Sequence, residues 1–105
     1  MKLTEEKLNM YKAVETVCTL NHTKWNTVPA FGSAFSRFST KVAQLDLLAE
    51  DLLSGPEPLL DIVRKLMTEI DSLLNNSIDK LVTFLQPEHS DFYTLYLSAR
   101  AAARQ

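Results

Sequence analysis

The chain has 105 residues, 46% of them apolar, and eleven Lys and Arg against thirteen Asp and Glu give a net charge of −2. Such a chain folds as one globular domain around its own core, and it is neither disordered nor long enough for several domains. With no long basic run to meet duplex phosphates, and with only Gly32 and Gly55 to form a phosphate-cradling loop, no nucleic-acid partner is expected.

The single cysteine, Cys18, excludes an intramolecular disulfide framework and fits a reducing compartment. Met1 to Lys7 is charged and lacks the apolar run of a signal peptide. No stretch reaches the ~18 uncharged apolar residues of a membrane-crossing helix. A cytoplasmic protein without membrane contact is expected.

Helical spacing predicts an all-α protein with helices near 4–20, 28–53, 57–85 and 91–103. The first starts at about Leu3 or Glu5, with Thr4 as N-cap and Glu5 and Glu6 at the positive end of its dipole. Leu3, Met10, Tyr11, Val14, Val17 and Cys18 share its apolar face, and Leu8 lies off it. Asn21 to Asn26 is a connection, after which Thr27 caps the second helix and Pro29 takes its first turn.

Phe31, Phe35, Phe38, Val42, Leu45, Ala49 and Leu52 repeat along that second helix at alternating steps of four and three, an unbroken heptad seam. Gly32 and Ser33 predict a frayed first turn or a close neighbour. Ser54-Gly55-Pro56-Glu57-Pro58 stops this helix and starts the third. The third carries Leu59, Ile62, Leu66, Ile70, Leu73, Leu74, Leu81 and Phe84 as its core stripe. Asn75-Asn76-Ser77 interrupts the stripe and predicts a kink or a polar layer.

Pro87-Glu88-His89-Ser90 ends the third helix, and Ser90 or Asp91 caps a short fourth one. Phe92, Leu95, Tyr96, Ala99 and Ala103 are its inward face, with Arg100 and Arg104 at its negative end. The whole is a four-helix bundle-like domain, 1–105, dominated by a long antiparallel hairpin of the second and third helices, each roughly 40 Å long. The shorter first and fourth helices cover that hairpin fully only if laid end to end.

Few residues carry chemistry. Glu15, Cys18 and His22, at i, i+3 and i+7, offer a carboxylate, a thiolate and an imidazole to a metal such as zinc or iron, or a thiol activated by histidine. The bland alternative is a buried thiol flanked by two polar rim residues, and the Glu-x-x-His motif of bundle metal sites is absent. No metal or other cofactor is therefore expected. His89 sits in a turn with no orienting partner. Tyr93, Tyr96 and Arg100 gather on one side of the fourth helix, either as a site for a small anion or small molecule or as packing that pins the helix. Trp25 is either a plug at the end of the bundle or an exposed interface anchor.

Trp25-Asn26-Thr27-Val28-Pro29-Ala30-Phe31 with the heptad through Leu45, and Leu73-Leu74 through Leu81 with Asp91-Phe92-Tyr93 to Arg100, resemble the two ends of a group of uncharacterised all-helical bacterial proteins, mostly from Bacteroidota. The resemblance spans about two thirds of the chain. It implies a helical fold and a chain shortened in the middle, where the relatives carry further helices and this one has the Ser54–Pro58 turn; the group has no assigned activity, so the resemblance gives no function. The leading expectation is a self-associating interaction or scaffold module, probed against two alternatives: a metal or redox bundle, and a small-molecule binder.

Overall fold

The apolar period of the sequence is helical throughout, and the structure, a computed structural model describing residues 2–51 and 57–101, follows it. In chain order come α1 (Lys2–Leu20), the single turn α2 (His22–Trp25), α3 (Pro29–Asp51), α4 (Glu57–Leu73), a π-helical turn (Leu74–Ile78), α5 (Asp79–Leu85) and α6 (Ser90–Ala101). No strand occurs among the described residues. Side chains are described for 5–49 and 60–101, so the expected roles of Leu3, Thr4, Leu52, Gly55, Leu59, Ala103 and Arg104 lie outside them.

α4, the π-turn and α5 form one continuous rod, with helical dihedrals at both junctions, Leu73 and Asp79. With α1, α3 and α6 this gives an up-down-up-down bundle: α3 packs on α1 and on the rod, and α6 on α1 and α5. The antiparallel directions follow from the cross-links. Lys12 meets Asp46, Ser39 meets Glu15, Lys41 meets Glu69, and Arg100 meets both Met10 and Asp79. The bundle measures 47 × 28 × 20 Å.

α1 and α6 lie side by side. Arg100, near the end of the described part of α6, reaches Met10 on α1 and Asn75 in the π-turn, so the described part of α6 extends as far as that turn. Beyond it α1 flanks the hairpin of α3 and α4, packing on α3 and bonding through Tyr11 to Met67 and Asp71.

The core contains the heptad residues Phe31, Phe38, Val42 and Leu45, with Tyr11, Val14, Ile70, Leu74, Ile78, Val82, Phe92 and Tyr96. Phe35 is partly buried against it. The π-turn explains how the rod keeps one face inward. Ile70, Leu74, Ile78 and Val82 are all fully buried although they stand four apart. In a regular α-helix four residues turn by about 400°, roughly 40° past a full turn, so three such steps would carry Val82 well round the rod. Bonding to i+5 instead of i+4 lodges an extra residue in the turn and cancels part of the drift.

That turn, and a seam placed one residue away from the expected one, correct the predicted stripe of the third helix. Val63, Met67, Ile78, Val82 and Leu85 are buried, while Ile62 is 54% and Phe84 74% exposed. On α6 Leu95 is exposed, and on α1 Leu8 is buried. The caps also move. α1 begins at Lys2, so Thr4 lies within it. Val28, not Thr27, precedes α3 and accepts from the amides of Phe31 and Gly32. His89 precedes α6 and accepts from the Tyr93 amide, which puts Ser90 and Asp91 in the first turn. The predicted break at Asn21–Asn26 contains the turn α2; Asn21 closes α1 by donating its backbone N–H and its side-chain amide to the Val17 carbonyl.

Candidate functional site

The polar chemistry of the bundle is concentrated on either side of the π-turn. Asp79, just after it, accepts from the Tyr96 hydroxyl and takes a two-pronged contact from Arg100, Nε to Oδ1 at 3.0 Å and Nη2 to Oδ2 at 2.9 Å. Arg100 Nη2 also donates to the Asn75 side-chain oxygen at 2.8 Å. Asp71, before the turn, accepts from the Tyr11 hydroxyl at 2.6 Å and pairs with Lys7. Each outer helix is thus fastened to the rod by a tyrosine, an aspartate and a cation: α1 through Asp71 and α6 through Asp79.

The electrostatics follow from burial. The phenol of Tyr96 is held far above its usual pKa by burial, and further by its hydrogen bond to Asp79 and that carboxylate's charge. Burial and Asp71 do the same to Tyr11. Both hydroxyls are therefore donors, and neither is a base near neutrality. For Arg100 burial opposes the charge, and the hydrogen bond and charge of Asp79 outweigh it, so its pKa is raised.

Tyr93, Tyr96 and Arg100 do converge, together with Asp79 and Thr83, around a cavity of about 310 Å³ between α5 and α6. The guanidinium there is occupied by Asp79 and Asn75, which leaves the arrangement strong as a fastening and poor as an anion receptor. Trp25 is a plug. Its ring stacks on Phe31 at 4.6 Å between centroids, lies 5.3 Å from Phe35, and donates Nε1–H to the Cys18 carbonyl at 2.7 Å.

Glu15, Cys18 and His22 are not drawn to one point, and among the described residues no three His, Cys, Asp or Glu side chains are grouped to hold a metal. Glu15 accepts from Ser39 at 2.7 Å, and His22 is exposed on α2. Cys18 is fully buried, and burial first, then the charge of Glu15, pushes its thiol up to about 12. A thiol so placed is not a nucleophile at neutral pH. His89 stands half-buried before α6, where its backbone carbonyl does the work described above.

Sequence reasoning missed Asp71, Asp79 and Asn75, and took Tyr11 for an apolar-face residue only. The available signal was the pair of aspartates bordering the apolar stripe on either side of Asn75-Asn76-Ser77, but their partners come from α1 and α6.

Two further cavities lie between α3 and the rod. One, of about 550 Å³, is lined by Gln44, Leu47, Leu48, Ile62, Lys65, Leu66 and Glu69 and is mainly apolar. The other, of about 380 Å³ beside the π-turn, is lined by Ala30, Ser33, Ala34, Arg37, Asn76, Ser77, Lys80 and Leu81. No family model, curated protein or solved structure matches the chain. No helix among the described residues is long and apolar enough to cross a membrane.

Proposed function

We propose that this chain is a helical interaction module that pairs with a second copy of itself through the apolar groove between α3 and α4, as a bacterial cytoplasmic protein of the helical group it resembles. The observation that carries the reading is that groove. Leu47 is 70% and Ile62 54% exposed on its two walls, on the stretch of hairpin that the described part of α6 does not reach. Large apolar side chains gathered in one groove usually mark an interface. The rim supports a two-fold partner. Lys65 and Glu69 border the groove one helical turn apart; Lys41 holds Glu69, whereas Lys65 makes no ion pair with the described residues, so a second copy in two-fold contact can offer it a carboxylate.

Light scattering across micromolar concentrations tests this. The expected mass rises with concentration toward twice the monomer's 11.9 kDa, and Leu47→Glu or Ile62→Glu holds it at the monomer value without loss of helix. A wild-type mass fixed at 11.9 kDa refutes the reading.

A further inference from the structure

Of the nine Lys and Arg side chains described, Lys7, Lys12, Lys24, Lys41, Arg64 and Arg100 stand in ion pairs with carboxylates, and three make none with the described residues: Arg37, Lys65 and Lys80. Arg37 and Lys80 line the same cavity, the one of about 380 Å³ beside the π-turn. In a protein of net charge −2, whose other described cations are nearly all matched, two unmatched ones facing one hollow are a local excess of positive charge.

The remaining walls suit an anion. Ser33 and Ser77 bring hydroxyls that make no hydrogen bond to the described residues, and Asn76 brings an amide of which one N–H is spent, on Ser72 at 3.0 Å. Among the described residues no carboxylate lines the cavity. Asp79, the acidic neighbour of Lys80 in sequence, is engaged by Tyr96 and Arg100 and lines the different cavity between α5 and α6. The extra residue of the π-turn gives the stretch its local form, and such turns recur where a helix serves a ligand. Ala30 and Ala34 on α3 keep the opposite wall low.

We infer that this hollow between α3 and the π-turn is a binding site for a phosphate monoester group, with Arg37 and Lys80 as its charged contacts and Ser33, Asn76 and Ser77 as hydrogen-bond donors. A phosphate presents several acceptor oxygens and close to two negative charges, which match a planar guanidinium fork, an ammonium and neutral donors. The ester's carbon skeleton rests on Ala30 and Leu81. This site is independent of self-association: it uses none of the residues that line the apolar groove.

Amide chemical shifts recorded during titration test the site, with inorganic phosphate and glycerol phosphate in one arm and sodium chloride of equal ionic strength in another. Saturable shifts confined to the neighbourhood of Ser33, Arg37, Asn76, Ser77 and Lys80 are expected, with millimolar affinity for inorganic phosphate. Arg37→Gln and Lys80→Gln should each weaken binding at least fivefold. Lys65→Gln, which removes the third unmatched cation outside the cavity, should leave it unchanged. All three positions are exposed, so helix content should not move. Shifts that fail to saturate, that match the chloride arm, or that survive in the Arg37→Gln Lys80→Gln double variant overturn the inference. A third arm settles the source of the phosphate group. Sedimentation with phosphatidylcholine vesicles containing phosphatidic acid, lost in the double variant, supports the site with a lipid headgroup as its ligand. Binding of glycerol phosphate without sedimentation supports it with a soluble ester.

Discussion

Removing the Asp79 carboxylate should cost the bundle more than its half-exposed position suggests, because a buried partner, Tyr96, and a half-buried one, Arg100, depend on it. In Asp79→Ala the Tyr96 hydroxyl, on a residue only 1% exposed, loses its acceptor, a penalty of about 1–3 kcal/mol for a buried donor left unsatisfied. The ion pair with Arg100, whose side chains are 21% and 33% exposed, adds only about 1 kcal/mol after solvent screening. A loss of about 2–4 kcal/mol follows, a large share of the 5–15 kcal/mol typical of a domain. Asp79→Asn keeps an acceptor for Tyr96 and should cost about half as much. Tyr96→Phe removes the donor alone and should cost about 1 kcal/mol. Because the two residues act on each other, the Asp79→Ala Tyr96→Phe double variant should lose at least ~1 kcal/mol less than the sum of the single losses. Urea unfolding followed by far-ultraviolet circular dichroism reads all four, provided the slope m stays constant. A loss below ~1 kcal/mol in Asp79→Ala, or single losses that simply add, would show that Asp79 does not fasten α6 to the rod.

Phe38→Ala, at a fully buried position that meets Tyr11 edge-on at 6.3 Å, should cost about 3–5 kcal/mol in the same assay; a loss under ~1 kcal/mol would mean the core is not centred there. Gly32→Ala should instead stabilise by about 0.5–1 kcal/mol, since a Cβ there meets only Trp25 at an ordinary 3.9 Å inside a helix that glycine weakens; a destabilised variant would contradict that geometry. Cys18 makes the fold alkali-sensitive. Its thiol ionises at about 12 when folded and near 8.5 in an unfolded chain, so its contribution is complete below pH ~8.5 and is lost as pH rises towards 12. Unfolding free energies across that window should fall less steeply in Cys18→Ala, and an unchanged slope would rule the thiol out as the cause. Deleting Asn76 should be tolerated, with cooperative unfolding retained, because the π-turn already holds one residue more than an α-helical turn; deleting Leu81 in the regular helix α5 should rotate everything after it by about 100° and abolish cooperativity.

The sequence by itself determined the helical class, the order of the main helices and most of the buried heptad from Phe31 to Leu45, because a period of 3.6 residues is a local property that needs no partner. It also located the irregularity at Asn75-Asn76-Ser77, since polar residues cutting an apolar stripe must either face outward or change the winding. Only the tertiary structure decided which of these followed. Its answer, an underwound turn, is what keeps Ile78 and Val82 inward and leaves Phe84 outside. The placement of Trp25 inside the bundle likewise depends on α3 supplying Phe31 and Phe35. The fastenings at Asp71 and Asp79 were beyond sequence reading for the same reason: α1 and α6 bring their tyrosines from 60 and 17 residues away. A carboxylate looks the same in a sequence whether it faces water or a buried phenol. The chain's periodicity fixes that each segment is a helix and, for α3, which face is buried; the winding of the rod and the packing of helices distant in sequence fix the rest and what each polar group meets.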